Sequence, residues 1–184
     1  METSGEQPRF AAQQVSELMK NLTLGIVGDL GRMLREQGLG HRPIRILELV
    51  MFGMFMVTEA FVTHMGLEEG RASLDQFHED MIAHMFSEFI FKHQKAKDLE
   101  EVQGRFQELN SLINQRYREY RRWLSDDVQD RHNPFRQTFT ALWANISSEP
   151  LPAQEELNTL LTAFSRNLAR FWTGCMASFP PKSA

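Results

Sequence analysis

Residues 44–65 form the stretch that most constrains this chain, because wound as a helix they are apolar on nearly every side. Leu49, Val50, Met51, Phe52, Met54, Phe55, Met56 and Val57 follow one another with only Gly53 between them, and Arg45, Glu48, Thr58, Glu59 and His64 are the main interruptions. A helix with a single apolar stripe can lie on a surface; one apolar all round has to be surrounded. The flanking segments repeat apolar residues at helical spacing and none alternates as a strand would. The expected fold is therefore all-α, a single-domain bundle of about six helices around the central apolar helix at 44–65.

The same stretch has nearly the length of a membrane span. Its uninterrupted apolar part, from Leu49 to Val57, covers about nine residues where a bilayer needs ~20. Arg45, Glu48, Glu59 and His64 would have to enter or border lipid, at roughly 2.5–3.5 kcal/mol for a charge near the centre. No membrane span is expected. The 184 residues suit one core better than two. A net charge of -4 gives no general attraction for phosphate backbones, so nucleic acid is not an expected partner. The lone Cys175 cannot close an internal disulfide and no export-type segment opens the sequence, which makes the expected location cytoplasmic.

Helix by helix, the pattern predicts a loose N-terminus over 1–9, a structured domain over 10–179 and a short tail over 180–184. The first helix starts near Phe10 and stops at Gly38 and Gly40. Gly25, Gly28 and Gly31 recur within it; their spacing is not that of a phosphate-binding loop and predicts close helix packing or a kink. The second helix ends at a turn spanning Gly66 and Gly70, and the third runs from Ala72 to Lys92. Asp98 and Glu101 suggest a capping box ahead of a long fourth helix. In that helix Leu99, Val102, Phe106, Leu109, Ile113, Tyr117, Tyr120 and Leu124 alternate steps of three and four, close to a coiled-coil seam. Asn133 and Pro134 open a fifth helix, and the sixth carries Leu157, Leu161, Phe164, Leu168, Phe171 and Cys175 on one stripe.

Candidate chemistry centres on the two carboxylates of the apolar helix. Glu48 and Glu59 each need a partner, since an unpaired buried carboxylate is costly. Eleven residues apart, they are separated by about 16 Å at 1.5 Å per residue and cannot share a metal. If the second and third helices form a hairpin, Glu48 lies near Glu88 and Glu59 near His78. Glu48, His84 and Glu88 then become a candidate metal set for iron or manganese, although the Glu-x-x-His pairs of helical di-iron sites are absent. The alternative is that Glu88 pairs with Arg45 or faces solvent, and that His84 pairs with Asp80 one turn earlier. No motif calls for a cofactor.

A second candidate site is an apolar pocket between the second and third helices, lined by Phe52, Phe55, Met56, Met81, Met85 and Phe86 with Glu59 beside it, for a lipid-like or aromatic ligand. The bland reading of the same residues is plain core. Cys175 sits on an apolar stripe and reads as an inert thiol. Arg116, Arg118, Arg121 and Arg122, interleaved with Tyr117, Tyr120 and Trp123, could stack on single-stranded nucleic acid, but acidic residues follow at once and a solvated face fits better. With amphipathic faces abundant and polar catalytic groupings scarce, the sequence points to a non-catalytic interaction or regulatory module, homodimeric through the fourth or sixth helix. A binder or sensor of apolar small molecules and a Glu/His-ligated metalloenzyme are the alternatives.

Overall fold

The apolar helix lies at the centre of a helical bundle. In the computed structural model, which describes residues 6–39, 44–92, 99–129 and 135–180, six α-helices follow one another: α1 Glu6–Glu36, α2 Ile46–Met65, α3 Leu67–Met85, α4 Leu99–Gln129, α5 Arg136–Ile146 and α6 Gln154–Ser178. The expected capping box at Asp98 and the helix start at Asn133 and Pro134 lie outside the described residues, as does most of the expected tail.

Thirteen of the twenty residues of α2 are buried, and α2 packs on α1, α3, α4, α5 and α6. Its all-round apolarity has a direct cause: it serves two cores at once. Leu49, Phe52, Phe55 and Met56 join Ile26, Leu30, Tyr120, Phe139, Trp143 and Phe164 on one side. On the other, Val50, Met54, Val57 and Phe61 join Met19, Leu74, Phe77, Met81, Ile113 and Cys175. By length and composition α2 is the one described helix that could cross a membrane, and 72% of its apolar window is buried inside the bundle.

Several local expectations change. Gly25 and Gly28 would meet nothing within 4 Å if they carried a Cβ, so they mark no close packing. The close approach is made by Gly53 on α2, where a Cβ would stand 3.0 Å from Ile26 Cγ2 and 3.2 Å from the Thr23 carbonyl oxygen of α1. The turn between α2 and α3 is a single residue, Gly66, with φ 90°, a conformation open to glycine at little cost. Gly70 belongs to α3 and is buried against the Phe61 ring. α3 therefore starts five residues before the expected Ala72, and it continues past Met85 as a π-helical turn, Phe86–Phe91, that sets Phe86 against Phe106 of α4 at 5.6 Å.

The stripes that predict a dimer seam are largely consumed within the chain. Leu109, Ile113 and Tyr120 of α4 and Leu157, Leu161, Phe164, Leu168 and Cys175 of α6 are all buried in its own core. Leu99 and Phe106, at the start of the α4 stripe, stay exposed.

Candidate functional site

The carboxylates on α2 find their partners on α4. Glu48, 7% exposed, is gripped at both oxygens by Arg116, with Nε donating to Oε2 at 2.7 Å and Nη2 to Oε1 at 2.9 Å. Arg116 also reaches Glu119 at 3.2 Å, and the side-chain amide of Asn145 on α5 donates to Glu119 and to the Tyr120 hydroxyl. This hydrogen-bonded pairing pushes the Arg116 guanidinium above its ordinary range. The network ties α2, α4 and α5 together and satisfies a charge that could not otherwise be buried.

Three turns further along α2, Thr58 meets His78 of α3 and Tyr117 of α4. The Thr58 hydroxyl lies 3.1 Å from His78 Nε2 and 3.2 Å from the Tyr117 hydroxyl, and Nε2 lies 3.1 Å from that hydroxyl. Three helices thus each contribute one polar group to a closed triangle. Its apolar backing is the Phe55 ring, 5.7 Å from the Tyr117 ring and nearly perpendicular to it. Burial holds the His78 imidazole below its ordinary value of 6.5, partly opposed by Asp75 one turn earlier. Burial also raises the Tyr117 phenol above its ordinary range, so both groups are neutral near pH 7.

The triangle forms the head of a cleft of about 470 Å³. Val62, Leu67 and Leu74 supply apolar wall, while Glu59, Arg71, Asp75 and Arg121 bring charge to it. Arg121 is held by Glu59, its Nε donating to Oε1 at 3.0 Å, and Arg71 by Glu68 on its own helix. A recess with an apolar wall and a few convergent polar groups is the usual form of a small-molecule site.

Of the residues singled out in the sequence, Glu59 and His78 do share this cleft, as the hairpin argument places them. Phe52 and Phe55 are fully buried among Tyr120, Phe164 and Tyr117 in one core, and Met81 and Met85 are fully buried in the other. Met56 faces a separate apolar cavity of about 380 Å³ beside Leu124, Leu168 and Trp172. The proposed ligand-binding residues therefore do not converge on one pocket, because the two faces of α2 diverge. Glu48, His84 and Glu88 are not gathered either: among the described residues no three His, Cys, Asp or Glu side chains could hold a metal. Glu48 belongs to Arg116, Glu88 takes Lys92 one turn on at 2.6 Å, and Asp80 accepts from Ser16 and Gln76.

Thr58 and Tyr117 carry no signal of their own in the sequence. Thr58 looks like a tolerated polar residue on a core helix, and Tyr117 like one more member of the α4 stripe. Their meeting depends on the α2/α4 crossing, which no local pattern encodes. Compared with known proteins, the chain matches no family model, no curated protein and no solved structure.

Proposed function

We propose that the chain is a non-catalytic regulatory module that binds a small molecule in the cleft between α2, α3 and α4. The observation that supports this reading is the Thr58, His78 and Tyr117 triangle at the head of that cleft. A ligand with a flat or aliphatic body would rest on Val62 and Leu74 and direct its polar end at the triangle. Because the three groups come from three helices, occupancy would change how α3 and α4 are held against α2, which is the physical basis of a regulatory response. This departs from the sequence expectation in the place and polarity of the pocket. The α4 and α6 stripes behind the homodimer expectation are largely buried within the chain, so a second copy would meet their exposed start, Leu99 and Phe106.

The test is thermal unfolding against a panel of small aromatic alcohols, amides and carboxylates. At least one class is expected to raise the unfolding midpoint of the wild type. The double variant Thr58→Val, Tyr117→Phe keeps the volumes but removes both hydroxyls, and is expected to lose that response while retaining its helical circular dichroism. An unchanged response in the double variant, or no response across the panel, contradicts the reading.

A further inference from the structure

Phe91 and Phe106 are the two phenylalanines left exposed among the described residues, at 57% and 41%, and they share one patch. The Phe86 ring links them, its centroid 6.4 Å from that of Phe91 and 5.6 Å from that of Phe106. Leu99, 72% exposed, lies two turns before Phe106 on the same stripe of α4, and within α4 no residue is buried ahead of Leu109. Single apolar side chains on a surface need no explanation, whereas a contiguous aromatic patch marks a contact surface. The patch forms around the π-helical turn Phe86–Phe91, and such turns are frequent at functional sites.

Charge decides what covers it. From Glu88 to Arg105 the sequence carries four Asp or Glu against four Lys or Arg. Two of these pairs close within the chain, Lys92 on Glu88 at 2.6 Å and Arg105 on Glu101. A balanced rim draws neither an anionic bilayer nor a partner of one charge sign. A second copy needs no charge excess, because it brings the same apolar side chains and the same balance. Leu99 and Phe106 are about 10.5 Å apart along α4, so two α4 starts running antiparallel set Leu99 of one copy on the partner's Phe106, and the reverse. Val102 then lies beside the two-fold axis. We infer that the chain self-associates through this patch into a two-fold dimer. The three exposed side chains offer roughly 300 Å² of apolar surface per copy, against about 800 Å² per partner in a standard interface, so the dimer is weak and reversible.

The test is sedimentation equilibrium of the full chain from about 5 µM to 1 mM, where a closed monomer–dimer equilibrium with a Kd of about 10–100 µM is expected. Leu99→Glu and Phe106→Glu should each weaken it by about tenfold or more, while Leu151→Glu, at an exposed leucine outside the patch, leaves it within about twofold. Leu99→Glu changes an exposed side chain and puts an acid in a first helical turn, where the helix dipole favours it. It therefore keeps the helical circular dichroism and carries the test if Phe106→Glu, which loses the Phe86 contact, fails to fold. A dimer that Leu99→Glu leaves intact overturns the inference, as does open-ended association. A wild type that stays monomeric throughout overturns it too, including one whose patch instead takes up phosphatidylcholine vesicles in co-sedimentation.

Discussion

Glu48 and Arg116 form a two-point ion pair between the central helix and α4, with the carboxylate side chain 9% and the guanidinium side chain 14% exposed. Removing Glu48 takes away both of the short bonds that hold the half-buried Arg116 and leaves it only the Glu119 contact at 3.2 Å. Glu48→Ala is expected to cost roughly 3–5 kcal/mol of stability in urea unfolding, whereas replacing the pair together, Glu48→Leu with Arg116→Met, should recover most of it. A loss below about 1 kcal/mol for the single variant would show that water reaches Arg116.

Gly70 and Gly28 make a matched comparison inside helices. A Cβ on Gly70 would stand 2.5 Å from Phe61 Cε1, and Phe61 is itself wedged by the Phe179 ring at 5.1 Å. Gly70→Ala is expected to destabilise by about 1–3 kcal/mol through overpacking. At Gly28 nothing lies within 4 Å, so Gly28→Ala should stabilise by about 0.5–1 kcal/mol through helix propensity. Chemical denaturation of the two variants checks both signs.

His78 sets a pH dependence of stability. Its folded-state value lies below the unfolded 6.5 because burial penalises the cation, so the unfolded chain binds the proton more readily. The neutral ring's contribution is complete above pH 6.5 and is lost as the pH falls from there through the lower folded value. Between pH 7 and 5 the wild type should lose more stability than His78→Gln; parallel curves would contradict the assignment.

Cys175 is fully buried and its thiol is pushed up to about 12 by desolvation. Little thiolate exists at pH 8, and reagents cannot reach it. Iodoacetamide should modify Cys175 only at the rate of unfolding, with fast labelling appearing in denaturant. Stoichiometric labelling of the native chain within minutes would contradict the packing of α6 on α2.

Much of the fold is legible in the pattern of the chain, because burial writes itself as periodicity. The Leu49–Val57 run announces a central helix, and the stripes of α4 and α6 announce their inward faces. The partners of Glu48 and Glu59 are less legible. The two carboxylates span about 16 Å of α2, while Arg116 and Arg121 span only about 7.5 Å of α4, so no matching of spacings reveals the pairs. The helices cross, and long arginine side chains cover the difference. The cleft is largely hidden for the same reason: the hairpin of α2 and α3 brings His78 near Glu59, but Thr58 and Tyr117 join it only through interhelical geometry.

The most direct test of the central claim is a chemical-shift map of the ¹⁵N-labelled chain titrated with 2-naphthoate, with the histidine ring signals followed alongside the amides. Saturable shifts are expected to concentrate at Thr58, Val62, Leu74, His78 and Tyr117, with the His78 ring among the largest. Shifts centred instead on Met56, Leu124 and Trp172, or spread over the surface without saturation, would contradict it.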